Sequence, residues 1–239
     1  MKTMQYSPPP GGSGDSVWPP PPTTPDIAPT LRPFVSLLPL ARAVAALGVF
    51  DFIGALGIKL LHGHAIQSIS AISSTLVAGL VLGLICVSYL AYRIIFLRWT
   101  FLAYRNLDSF EAAGLETTAA WAVGWFFVPV VNLYRPFMVF HELWKAGTPG
   151  VDSRDEVAWQ RVPSSPLIGW WWSSVILHVF FLRMLDKVLT NGLTTVASTV
   201  LFLILAAVSV ALSIAVVTTI SRRQEAKARE QAQSFPTYL

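Results

Sequence analysis

One acid, Asp51, stands inside an apolar stretch, VFDFIG at residues 49–54. A carboxylate in hydrocarbon costs about 2.5–3.5 kcal/mol on insertion scales, so it calls for a proton, a cation or a basic partner. His178 and Arg183, within the apolar stretch ILHVFFLRML, are the groups a helical bundle would bring to it. At 1.5 Å per residue Asp51 falls about 20 Å from the start of its apolar segment; His178 and Arg183 fall about 17 and 24 Å from the start of theirs. The depths match. Two readings follow: a structural pair between helices, or a proton or ion relay.

A second group lies in WFFVPVVNLYRPF, residues 125–137, where Asn132 and Arg135 interrupt a hydrophobic run and Glu142 follows shortly after. A proline inside a helix removes one backbone hydrogen bond and clashes with the carbonyl four residues earlier. Pro129 would free the carbonyl of Trp125, and Pro136 that of Asn132. Freed carbonyls and an amide need water or protein partners and cannot face lipid. They would coordinate a cation or small polar ligand, as broken helices do in transporters, or brace the segment against its neighbours. Arg135 and Glu142 are seven apart on one helical face, and the pair would tie the broken helix to a partner or to lipid headgroups.

Other chemistry is thinly represented. His62 and His64 form HGH without a third ligand. His141 and Glu142 begin a zinc-protease pattern that lacks its second histidine. Gly-rich phosphate loops, nucleophile elbows and Cys/His sets are absent, so no catalytic residue, metal or cofactor is expected. The lone Cys86 reads as an apolar helix residue.

The elements that must position these groups follow from composition. The chain has 239 residues, 54% hydrophobic and 13% charged, with a mean hydropathy of +0.56. That charge content is about half that of a soluble domain, and the apolar residues fall in long runs. Four spans are predicted, at about residues 37–61, 72–97, 167–185 and 194–220, each long enough for a hydrocarbon core of about 30 Å. Trp99 and Tyr104 beyond the second span, Trp121 and Trp125 in the central run, and Trp170, Trp171 and Trp172 at the third are expected as interfacial anchors. Residues 1–33 hold ten of the seventeen prolines and read as a disordered cytosolic tether. Residues 34–220 form the membrane domain, and residues 221–239 a basic cytosolic tail that continues the last span as a helix. No cleavable signal peptide or lipidation motif is visible.

Charge placement decides whether residues 119–140 cross. If they do not, with the N-terminus inside, thirteen Lys and Arg residues lie on the cytoplasmic side against Lys59, Arg183 and Lys187 outside. If they cross, the split is seven against nine. Positively charged loops stay inside, so four spans with both termini cytoplasmic is the expectation.

The stretches FLRWTFLAYRNLDSFEAAG, WAVGWFFVPVVNLYRPFMVFHELWKAG and PLIGWWW, within residues 96–172, resemble the bacterial membrane family catalogued as domain of unknown function 4328. The resemblance extends over roughly residues 40–220. It implies a multi-pass membrane protein and supplies no activity. The expected fold is all-α: four spans plus a re-entrant or interfacial Pro-broken helix. The expected role is non-enzymatic, structural or interaction-based, at the bacterial plasma membrane. A small oligomeric transporter or channel using Asp51 and the broken helix is the alternative, and a lipid-modifying enzyme a third reading. Expected contacts are the bilayer, anionic headgroups, a protein partner for the tail and further copies of the chain; nucleic acid is not among them.

Overall fold

A computed structural model describes residues 33–63, 71–188 and 195–234. The Pro-rich tail before residue 33, His64 and the side chains of His62 and Arg183 lie outside the described residues. Among the described residues the fold is all-helical: α1 (Leu38–Gly63), α2 (Ala71–Ser109), α3 (Ala119–Gly124), α4 (Arg135–Ala146), α5 (Glu156–Gln160), α6 (Pro166–Val188) and α7 (Thr195–Ser234). Short 3-10 turns at Trp125–Phe127 and Val131–Leu133 join α3 to α4.

Three of these helices carry segments long and apolar enough to cross a membrane, within Leu38–Gly57, Gly79–Ser109 and Val200–Ser234, and mark the chain as a membrane protein. Helix α1, of 26 residues, is as long as a hydrocarbon core is thick, and α6 has 23 residues. The 39 residues of α2 and 40 of α7 make rods of about 60 Å, twice that thickness. The predicted spans end near residues 97 and 220, and the helices run on past both, to Ser109 and, as expected for the tail, to Ser234.

Glycine and serine set the packing of the long helices. A Cβ on Gly48 of α1 would lie 3.5 Å from both Tyr92 of α2 and Val210 of α7, and one on Gly54 would lie 3.0 Å from Ile85. Helix α6 pairs antiparallel with α7: the Trp171 indole donates to Ser213 Oγ at 3.0 Å, and Ser209 Oγ donates to the Ser174 carbonyl at 3.2 Å.

The well-buried core lies toward the end of the bundle where α1 begins and α2 and α7 finish. There Phe140 of α4 meets Trp171 in a tilted contact at 4.3 Å and stacks on Phe96 at 6.2 Å, with Trp99 alongside at 5.9 Å. Toward the other end α2 turns apolar side chains outward on every side, from Leu76 and Val77 through Leu80, Leu84 and Val87. Side chains without protein neighbours there are what a lipid environment accommodates.

The chain between α2 and α6 covers the buried end and is called the cap. Its first turn depends on Gly114, at φ +70°, where a Cβ would lie 2.2 Å from the Glu156 side chain. Asp155 begins α5 by accepting from the amides of Val157 and Ala158 at 3.0 and 3.1 Å, the usual role of an N-terminal carboxylate.

Candidate functional site

Three arrangements in this fold hold chemistry: a polar network beneath the cap, the broken segment between α3 and α4, and an acid in the apolar part of α1.

The network begins where α2 and α7 run beside each other. Trp99 donates to Ser221 Oγ at 2.9 Å, Gln224 Nε2 to the Ala103 carbonyl at 3.0 Å, and Asn106 Nδ2 to Gln224 Oε1 at 3.2 Å. Asn106 also holds the segment leading into α1: its Oδ1 accepts from the Val35 amide at 3.0 Å and its Nδ2 donates to the Val35 carbonyl at 2.8 Å. One side chain thus joins the start of the first long helix to the ends of two others.

One turn farther along α7 the Lys227 ammonium, 3% exposed, is enclosed by the cap. It donates to the carbonyls of Ala146, Thr148 and Val151 at 2.9, 3.2 and 2.8 Å and to Ser153 Oγ, with Phe110 beneath it. Arg223 lies over the Trp144 ring at 3.9 Å and donates to Thr148 Oγ1 at 2.6 Å. Residues 221–227 are therefore built into the folded body; α7 does not leave the bundle at residue 220 as the sequence suggests. No sequence signal had singled out Lys227, Gln224 or Asn106. The spacing of Ile220, Gln224 and Lys227 on one helical face is the one clue available.

Glu142 closes the other side of the cap. Its carboxylate accepts from the Tyr104 hydroxyl at 2.5 Å and from the Glu116 amide at 2.9 Å. Burial pushes the Glu142 carboxyl above its usual range, and those two donors and Arg135 offset part of the effect. Arg135 and Glu142 take separate partners. Seven residues separate them by about 10 Å along the helix, and Arg135 at the α4 terminus reaches Glu116 at 3.0 Å instead. His141 Nε2 is buried without a hydrogen-bond partner, its ring edge-on to Phe137 at 4.3 Å; burial, and then Lys145, lower its pKa.

Three expected anchors prove to be core residues. Trp99, Tyr104 and Trp171 are 0–2% exposed, because the ends of α2 and α7, α4 and α6 close over them: Trp99 meets Ser221, Tyr104 meets Glu142, and Trp171 meets Ser213 and Phe140. Trp121 and Trp170 are exposed, while Trp125 and Trp172 are half-buried. Trp121 and Trp125 stack at 4.7 Å, and the Arg135 guanidinium lies 5.5 Å from the Trp125 ring.

The prolines do sit at a break, though not inside a helix. Pro129 falls between the two 3-10 turns, and Pro136 occupies the first turn of α4, where its missing N–H costs nothing. Backbone groups in the break find partners: the Asn132 amide donates to the Val128 carbonyl at 2.9 Å, and the Leu133 carbonyl accepts from the Trp172 indole at 2.7 Å. Asn132 itself is half-buried in the second 3-10 turn. Val130 takes φ +66°, a left-handed conformation that is an outlier for a β-branched residue. The segment has two faces. Ala122, Pro136, Val139 and Phe140 point into the core, while Trp121, Phe127, Val130, Leu133, Tyr134 and Met138 are 40–76% exposed.

In α1 both Asp51 carboxylate oxygens are buried with no hydrogen-bond partner, and so is Nδ1 of His178. The Asp51–His178 pair is not formed. His178 lies against Phe202 of α7 in a tilted ring contact at 5.4 Å, whereas α1 packs on α2 and α7. Among the described residues no group of three or more His, Cys, Asp or Glu side chains is placed to hold a metal.

These features define a helical membrane protein whose long helices are clamped at one end by a polar-cored cap. The chain belongs to the family described as domain of unknown function (DUF4328), which matches it over residues 63–225. No curated protein and no solved structure matches it.

Proposed function

We propose that the protein is a non-enzymatic platform of the bacterial plasma membrane, with α1, α2, α6 and α7 as four spans and both termini in the cytoplasm. In this reading the cap lies on the cytoplasmic leaflet, the α3–α4 segment rests in the headgroup layer, and the role is structural or interaction-based. The observation that carries it is the two-faced break. Six large apolar side chains from Trp121 to Met138 face outward from a segment whose other side is locked into the core. Each such side chain gains about 1.5–3 kcal/mol on full burial, so together they favour immersion strongly. The positive-inside tally supports the same orientation. Exposed Arg154, Arg161, Arg222 and Arg229 would then face anionic headgroups, and the Pro-rich tail would be free to engage a protein partner.

Single cysteines in a Cys86→Ser background test the placement. A polarity-sensitive fluorophore at Phe127→Cys should report an apolar site quenched by headgroup-depth quenchers. A cysteine at Gly150 should react from the cytoplasmic side. Free aqueous labelling at 127, or labelling at 150 from outside, would overturn the reading.

The unpartnered Asp51 favours a second reading, a small transporter or channel. Flux into proteoliposomes that Asp51→Asn abolishes would replace the platform with it.

A further inference from the structure

One charged pair stands beside the outward apolar side chains of the α3–α4 segment. Arg135 Nη1 meets Glu116 Oε2 at 3.0 Å, and the two side chains are 32% and 54% exposed. Among the described residues Nη1 is the only guanidinium nitrogen of Arg135 with a hydrogen bond, and Glu116 Oε1 accepts none. Each partner therefore keeps unused hydrogen-bonding capacity. An exposed ion pair adds little net stability, so it exchanges partners at small cost.

The surroundings favour a lipid as the new partner. The Arg135 guanidinium lies 5.5 Å from the Trp125 ring and 5.7 Å from the Tyr134 ring, and Trp121 stacks on Trp125 at 4.7 Å. Trp121, Phe127, Leu133 and Tyr134 are exposed, so apolar surface for an acyl chain adjoins the charges. Amphipathic rings beside charged groups are what the membrane interface selects.

The charge balance narrows the headgroup. Arg135 and Glu116 cancel, and the other acid that interacts with both, Glu142, is held inward by the Tyr104 hydroxyl and the Glu116 amide. A headgroup with one phosphate and one ammonium matches this pair charge for charge. An anionic headgroup would set a phosphate near Glu116 with no cation to answer the carboxylate. The planar guanidinium suits a phosphate, which it grips with two parallel hydrogen bonds. A primary ammonium offers the carboxylate three donors, and a quaternary ammonium offers none.

We propose that Glu116 and Arg135 form a binding site for a zwitterionic phospholipid bearing a primary ammonium. The ion pair opens, Arg135 takes the phosphate and Glu116 the ammonium, and the acyl chains lie along the apolar side chains of the segment. The proposal deepens the platform reading and rests on it for the placement of this segment in the headgroup layer.

Native mass spectrometry of the full chain, released from micelles holding equal amounts of phosphatidylethanolamine, phosphatidylcholine and phosphatidylglycerol with matched acyl chains, tests it. The wild type should retain the ethanolamine lipid about tenfold over the choline lipid, the ratio one charge-assisted hydrogen bond gives, and ahead of the glycerol lipid. Glu116→Gln should level the ethanolamine and choline lipids, and Arg135→Gln should lower retention of all three. Equal retention of the ethanolamine and choline lipids by the wild type would overturn the proposal. So would a wild type that retains the glycerol lipid best, or a preference that both variants keep. The fluorophore at residue 127 separates this failure from that of the platform. An immersed fluorophore with no lipid preference overturns the site alone, whereas a water-exposed fluorophore overturns both.

Discussion

Replacing Lys227 with methionine tests whether the cap is clamped from within. Methionine keeps the apolar stem and removes the ammonium that serves three backbone carbonyls and Ser153 Oγ. Hydrogen bonds from a charged donor are worth about 1.5–3 kcal/mol each, and the desolvation of the buried ammonium cancels part of their sum. Acceptors left buried and unpaired cost about 1–3 kcal/mol each, and the desolvation no longer incurred offsets part of their sum, for a net cost of about 3–5 kcal/mol. In a domain of this size each kcal/mol lowers Tm by about 2–4 °C, so Lys227→Met should melt about 10 °C below the wild type. Thermal melting in detergent, followed by circular dichroism, gives the difference. Arg229→Met, two residues along on the exposed face, should change stability by less than about 0.5 kcal/mol and serves as the control. If Lys227→Met melted within about 2 °C of the wild type, the ammonium would not be holding the cap, and the network beneath it would need another explanation.

Other outcomes follow from the same geometry. The raised Glu142 carboxyl binds its proton more tightly folded than unfolded, so its contribution to stability is complete at acid pH and declines as pH rises from about 4.5 through the folded value. Glu142→Gln should remove that component from the pH dependence of Tm. Gly114→Ala should cost about 1–2 kcal/mol, read as a lowered Tm, because alanine resists the left-handed conformation. Val130→Gly should raise Tm in detergent by a few degrees, since releasing backbone strain recovers about 1–3 kcal/mol.

The helices were legible in the sequence because uninterrupted apolar runs leave one structural solution in lipid. The positions of α1 and α6 follow to within a few residues. That helix continues past residue 220 was legible as well, but hydropathy, which falls at residues 97 and 220, does not show that the extensions of α2 and α7 are packed into a core. For that reason Trp99 and Tyr104 read as interfacial anchors, although tertiary contacts with Ser221 and Glu142 place them in the core. Lys227 was illegible for a different reason. Three of its acceptors are main-chain carbonyls of a loop, and main-chain atoms leave no mark in sequence. Asp51 stood out at once as an acid among apolar residues, but the pair with His178 read for it is not formed, since His178 lies against Phe202.

The unbroken length of α2 and α7 has a mechanical consequence. Each is a continuous helix of about 60 Å with no interruption between its lipid-facing part and its cap end. A tilt of about 10° around the middle of such a rod carries its end sideways by about 5 Å, the height of one helical turn. Thinning of the surrounding bilayer, or crowding by a neighbour, would therefore reach the cap as lateral displacement rather than dissipate at a hinge. The side chains that would register such a movement are those bridging the two rods: Trp99 with Ser221, and Asn106 with Gln224.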